Sequence, residues 1–68
     1  MTSRPTPAEV MMATDAACQA MRAWAHACRE ANDSMTMASA QKAAEAKRAM
    51  MKAEARAERM AARQAQSA

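Results

Sequence analysis

Residues 17–31 read Ala17-Cys18-Gln19-Ala20-Met21-Arg22-Ala23-Trp24-Ala25-His26-Ala27-Cys28-Arg29-Glu30-Ala31. The stretch holds both cysteines, the single tryptophan and the single histidine of the chain. Its small and apolar residues recur every three or four positions, which is the period of one face of an α-helix. Followed outward in both directions, the face is Val10, Ala13, Ala17, Ala20, Trp24, Ala27 and Ala31. Thr14, Cys18, Met21 and Cys28 widen it on one side, with Cys28 near its centre and Cys18 at its edge. Asp15, Gln19, Arg22, His26, Arg29 and Glu30 fall on the other. This pattern predicts an amphipathic helix over residues 7–31. Its start is written in Thr6-Pro7-Ala8-Glu9: a threonine cap, a proline at the first helical position and a glutamate placed to close a capping box.

Downstream, Asn32-Asp33-Ser34 is the sole turn-forming cluster, and Asp33, Ser34 or Thr36 can cap the next helix. No helix breaker appears after Met35, so a second, longer helix is expected over about 35–65, some 45 Å long at about 1.5 Å per residue. A short turn between two helices favours antiparallel packing. The predicted fold is therefore an all-α, antiparallel two-helix hairpin spanning residues 6–66, with a flexible tail at 1–5 and a short end at 67–68. On these boundaries Glu58–Ala68 projects past the first helix.

The second helix carries two apolar stripes. Ser39, Ala43, Ala46, Met50, Ala53, Ala57 and Met60 suit packing on the first helix. Met37, Ala40, Ala44, Met51, Ala55 and Ala62 lie on the opposite side, where one partner helix cannot also reach. That second face calls for a further partner. Expected packing and interface residues are thus Val10, Met21, Trp24, Cys28, Met37, Met50, Met51 and Met60, with Trp24, Met21 and Val10 organising the hairpin.

Composition agrees with helices and limits the core. Of 35 apolar residues, 22 are Ala and nine are Met, and Leu, Ile, Phe, Tyr and Gly are absent. Such residues favour helix, but a buried Ala methyl stabilises by only about 0.8 kcal/mol. Small domains with thin cores are commonly completed by a disulfide, a metal or a partner. Helices that order fully inside a larger assembly are the expectation here.

The net charge is +3. Arg48, Lys52, Arg56, Arg59 and Arg63 step by three and four along one face, with Glu45 relieving only its first turn. The stripe suits an acidic surface or nucleic-acid phosphate, or it is a solvated face near a helix C-terminus. No aromatic residue lies among these cations to stack on bases. No apolar run reaches membrane-spanning length, and the N-terminus lacks the apolar segment of a secretory signal, so a soluble, uncleaved chain is expected.

Catalysis lacks its parts: His26 has no thiol on its own face, and there is no Gly-rich phosphate loop. Methionine and cysteine are Cu(I) ligand types, but adjacent methionines on a helix diverge by about 100°, so core filling is the better account of them. No cofactor is expected. Cys18 and Cys28 stand about 15 Å apart on one helix and cannot bridge each other; a disulfide needs a thiol from another chain, and buried free thiols are the alternative.

The Cys18-x9-Cys28 spacing, on a helix leading through a short turn into a second helix, resembles half of the twin arrangement of the coiled-coil-helix-coiled-coil-helix (CHCH) proteins. That resemblance implies a disulfide-stapled hairpin of the mitochondrial intermembrane space, with Cys18 and Cys28 as oxidised positions and a role as accessory subunit or assembly factor of a respiratory complex. The second helix has no cysteine, so the staples of that family cannot form within this chain. The functional expectation is a non-catalytic structural or accessory subunit of a larger protein assembly. The alternatives are a nucleic-acid-binding module of a ribonucleoprotein or virion, using the Arg stripe, and thirdly a Cu(I) carrier.

Overall fold

The computed structural model describes residues 4–66. Two helices, α1 (Pro7–Ser34) and α2 (Met37–Ala65), pack on each other as an antiparallel hairpin. The molecule measures 50 × 17 × 13 Å, two helices wide and one helix thick. Each helix therefore has one neighbour, and the hairpin has one seam and two open flanks.

The N-terminus of α1 forms as its sequence dictates. Glu9 N donates to Thr6 Oγ1 at 3.2 Å, and Thr6 N donates to Glu9 Oε1 at 3.4 Å, so two otherwise unpaired amides are satisfied. Pro5 is buried rather than part of a loose tail. It precedes the cap and stands close before Val10 in the first full turn, the arrangement of a hydrophobic staple. The remainder of the expected tail, residues 1–3, and the expected end at 67–68 lie outside the described residues.

The turn sits later than Asn32-Asp33-Ser34 suggests. Ser34 Oγ donates to the Glu30 carbonyl at 2.6 Å, which lets α1 absorb the whole cluster as a last helical turn. Met35 then caps α1 in the left-handed region (φ 51°, ψ 39°), its N–H donating to the Ala31 carbonyl. Glycine is the usual residue for this conformation, and the chain has none. Thr36 is the cap chosen for α2, because its hydroxyl accepts from Ser39 N at 3.2 Å while Thr36 N donates to Ser39 Oγ at 3.3 Å.

With α1 extended, the helices have 28 and 29 residues, and α2 has no long overhang. Ala57 is buried, and Met60 and Gln64 are half-buried, so the stretch from Glu58 does not project as a whole. The short connection brings Ala31 near the level of Ser39 and Val10 near the level of Met60.

Along the seam, the two stripes read from the sequence meet. Ala17, Met50 and Ala57 are buried; Val10, Ala13, Ala20, Trp24, Ala27, Ala31, Ser39, Ala43, Ala46, Ala53 and Met60 are half-buried. Trp24 alone among them is large and aromatic, yet a single helix opposite cannot enclose it. The seam is a continuous but thin core.

Candidate functional site

Because the hairpin is one layer thick, its candidate site is the surface that the seam leaves uncovered. On one flank α1 and α2 border a shallow groove. Met12, Ala13 and Ala16 form its α1 wall and Ala49, Ala53 and Met60 its α2 wall, with Lys52, Arg56 and Arg59 along the rim. Glu9 adds the one acidic side chain of this groove. Toward the open end, Pro5, Glu9, Arg56, Arg59, Met60 and Arg63 line its continuation. The basic row is thus seated against an apolar floor rather than standing on an isolated convex face.

All five members of the row, Arg48, Lys52, Arg56, Arg59 and Arg63, are exposed. None has an ion-pair partner within 4.0 Å among the described residues. Glu9 reaches this groove from α1, which residue spacing on α2 does not reveal, and its carboxylate is already engaged by the Thr6 cap. Elsewhere, His26 Nε2 and Glu30 Oε1 stand 3.0 Å apart on the exposed back of α1.

The opposite flank has no charged residue along the middle of its α1 edge. At about 100° per residue, Met11, Thr14, Cys18, Met21 and Cys28 fall on the edge of α1 turned away from Met12 and Ala16, hence away from the basic groove. All five are exposed. Thr14 Oγ1 is satisfied locally by donating to the Val10 carbonyl at 2.9 Å.

Cys28 and Met21 therefore do not widen the packed face. Both thiols are free and exposed, not buried, and Met21 is 47% exposed. The physical reason is the opposing surface: alanines on α2 are too short to wrap around α1, so coverage falls away within about a quarter turn of the seam centre. Of the expected packing and interface residues, Met50 is buried and Val10, Trp24 and Met60 are half-buried; Met21 and Cys28 face outward, and so do Met37 and Met51, which lie on the stripe set apart for a further partner.

The second stripe of α2 is likewise uncovered. Met37, Ala40, Ala44, Met51 and Ala62 are exposed, and Ala55 is half-buried. Met51 and Ala55 border a dip with Glu45, Arg48, Ala49 and Lys52. Sequence reasoning singles out this stripe because apolar residues opposite a packed face have no partner in a two-helix unit. It does not find Glu9, Met12, Ala16 and Ala49 as groove residues. Which flank of α1 meets the basic row depends on how the hairpin closes, and residue spacing on either helix alone carries no signal of that.

Among the described residues no three His, Cys, Asp or Glu side chains gather as a metal site. No helix is long and apolar enough to cross a membrane. No protein-family model matches the chain, nor does any curated protein or solved structure match it.

Proposed function

We propose that this protein is a non-catalytic structural subunit that docks into a larger protein assembly through its uncovered apolar surfaces, with the basic groove meeting an acidic surface. The observation that carries the reading is exposure. The chain presents 5502 Å² of accessible surface, whereas a compact protein of 7.3 kDa presents roughly 4,200 Å² by size scaling. The excess is larger than the roughly 800 Å² that each partner contributes to a standard interface. Methionines are part of that open surface: Met11, Met12, Met35 and Met37 are each more than two-thirds exposed. Met side chains adapt to varied surfaces and suit such docking. The CHCH resemblance points the same way, toward an accessory subunit of a mitochondrial complex.

A second reading is favoured by the uncompensated row Arg48, Lys52, Arg56, Arg59 and Arg63, which also suits nucleic-acid phosphate. It requires binding that falls steeply with salt and weakens similarly on all sequences after Arg56→Ala or Arg59→Ala.

The test is sedimentation of the tagged chain from gentle lysates of cells that make it. Co-sedimentation with a protein particle several times its own mass, unaffected by nuclease, supports the subunit reading. Release by nuclease transfers support to the nucleic-acid reading. Migration as a free small chain overturns both.

A further inference from the structure

On the outer edge of α1, Met11, Thr14, Cys18, Met21, Ala25 and Cys28 step by three, four, three, four and three residues, and every one is exposed. Asn32 continues the same steps, also exposed. This is the spacing of a coiled-coil seam, distinct from the seam that α2 covers. It runs along the whole of α1 with nothing against it.

The stripe is self-complementary in one register. If a second α1 runs antiparallel with its two-fold axis at Ala23, Cys18 of each copy stands level with Cys28 of the other. The same register sets Met21 opposite Ala25, a large side chain against a small one, and does so twice. It sets Thr14 opposite Asn32. On the margin it brings Asp15 near the level of Arg29 of the second copy, again twice, against a like-charge approach of the two Arg22 side chains. We propose that a second copy of this chain occupies the outer stripe of α1, running antiparallel to it, with the Cys18 and Cys28 thiols facing each other across the interface at both ends.

The chemistry is set by the geometry. Two cysteines about 15 Å apart on one helix cannot bond to each other, but two antiparallel copies offer two matched pairs. The small residues Thr14, Ala25 and the cysteines themselves allow the close helix approach that a disulfide needs, with Cα atoms about 5.5–6 Å apart. With oxidised glutathione as oxidant, each pair of thiols becomes one disulfide and one oxidised glutathione becomes two reduced glutathiones. The two disulfides of a dimer therefore consume two oxidant molecules and release four thiols. The basic groove lies on the opposite flank of the hairpin and stays available in this dimer, so the thiol pairing is read separately from the docking proposed above.

The test uses the whole chain with oxidised glutathione, read by non-reducing electrophoresis and intact mass. The parent is expected to form a covalent dimer lighter than two chains by four hydrogens. Cys18→Ser alone and Cys28→Ser alone are expected to stay monomeric, because each remaining thiol then faces a serine. Mixing the two variants is expected to restore a dimer, containing one copy of each and a single disulfide. Helical circular dichroism of each variant confirms that the exposed serine leaves the hairpin intact. A parent that yields only glutathionylated monomer, single variants that dimerise with themselves, or a mixture that fails to dimerise overturns the proposal.

Discussion

Met50 and Met51 are neighbours in the chain and opposite in fate. Met50 lies in the seam at 7% exposure and Met51 on the outer side of α2 at 56%. The difference arises from one step of about 100° around the helix and from a molecule only one helix thick. The lesson extends along both helices. Seam and flanks share the same two main apolar residue types, Ala and Met, so apolar composition cannot tell them apart; position relative to the single opposing helix does. The seam holds the hairpin together, and the flanks are surface that a larger core would have absorbed.

The largest expected effect separates the two sites directly. Met50→Ala removes the buried side chain that fills the middle of the seam and is expected to destabilise by about 2 kcal/mol. Met51→Ala is expected to change stability by less than about 0.5 kcal/mol. Urea unfolding followed by circular dichroism reads both, and equal losses would break the distinction between seam and flank.

The turn comes next. Met35→Gly relieves the left-handed backbone at φ 51° and is expected to stabilise by about 0.5–1 kcal/mol, the gain in the folded state being partly offset by a freer unfolded chain. Urea unfolding reads this too. A loss of stability would show that the 86%-exposed Met35 side chain contributes to packing after all.

A smaller effect probes the basic flank. Arg59→Glu replaces a like-charge neighbour of Arg56 and Arg63 by an attractive one. It is expected to raise stability by about 0.5 kcal/mol at low salt and by nearly nothing at high salt. In the proposed assembly the same change is expected to weaken docking, so stability and binding would move in opposite directions. The smallest effect is at the back of α1, where His26→Ala removes only the exposed pair with Glu30 and is expected to cost under about 0.5 kcal/mol by thermal unfolding.

Much of this fold is legible in the sequence because helices this regular report their own faces. The seam stripes from Val10 to Ala31 and from Ser39 to Met60 come from spacing alone, as does the cap at Thr6. The position of the turn is less legible: Asn32, Asp33 and Ser34 are turn formers by propensity, while the Ser34 hydroxyl can also back-bond and keep them helical. Spacing also overstates the width of the seam at Met21 and Cys28, since coverage depends on the reach of the opposing alanines. The groove is not legible at all, because Glu9 and Met12 meet Lys52, Arg56 and Arg59 only through the direction in which the hairpin closes. The uncovered stripe of α2, by contrast, is legible, because it needs only the count of helices.

Held by its thin seam alone, the isolated chain is expected to be weakly stable until its flanks are covered. Thermal unfolding of the isolated chain under reducing conditions, followed by circular dichroism and paired with sedimentation, tests it most directly. A broad transition at low temperature is expected, sharpening and rising with protein concentration or with an added docking partner. A sharp, concentration-independent transition of a thermostable monomer would contradict it.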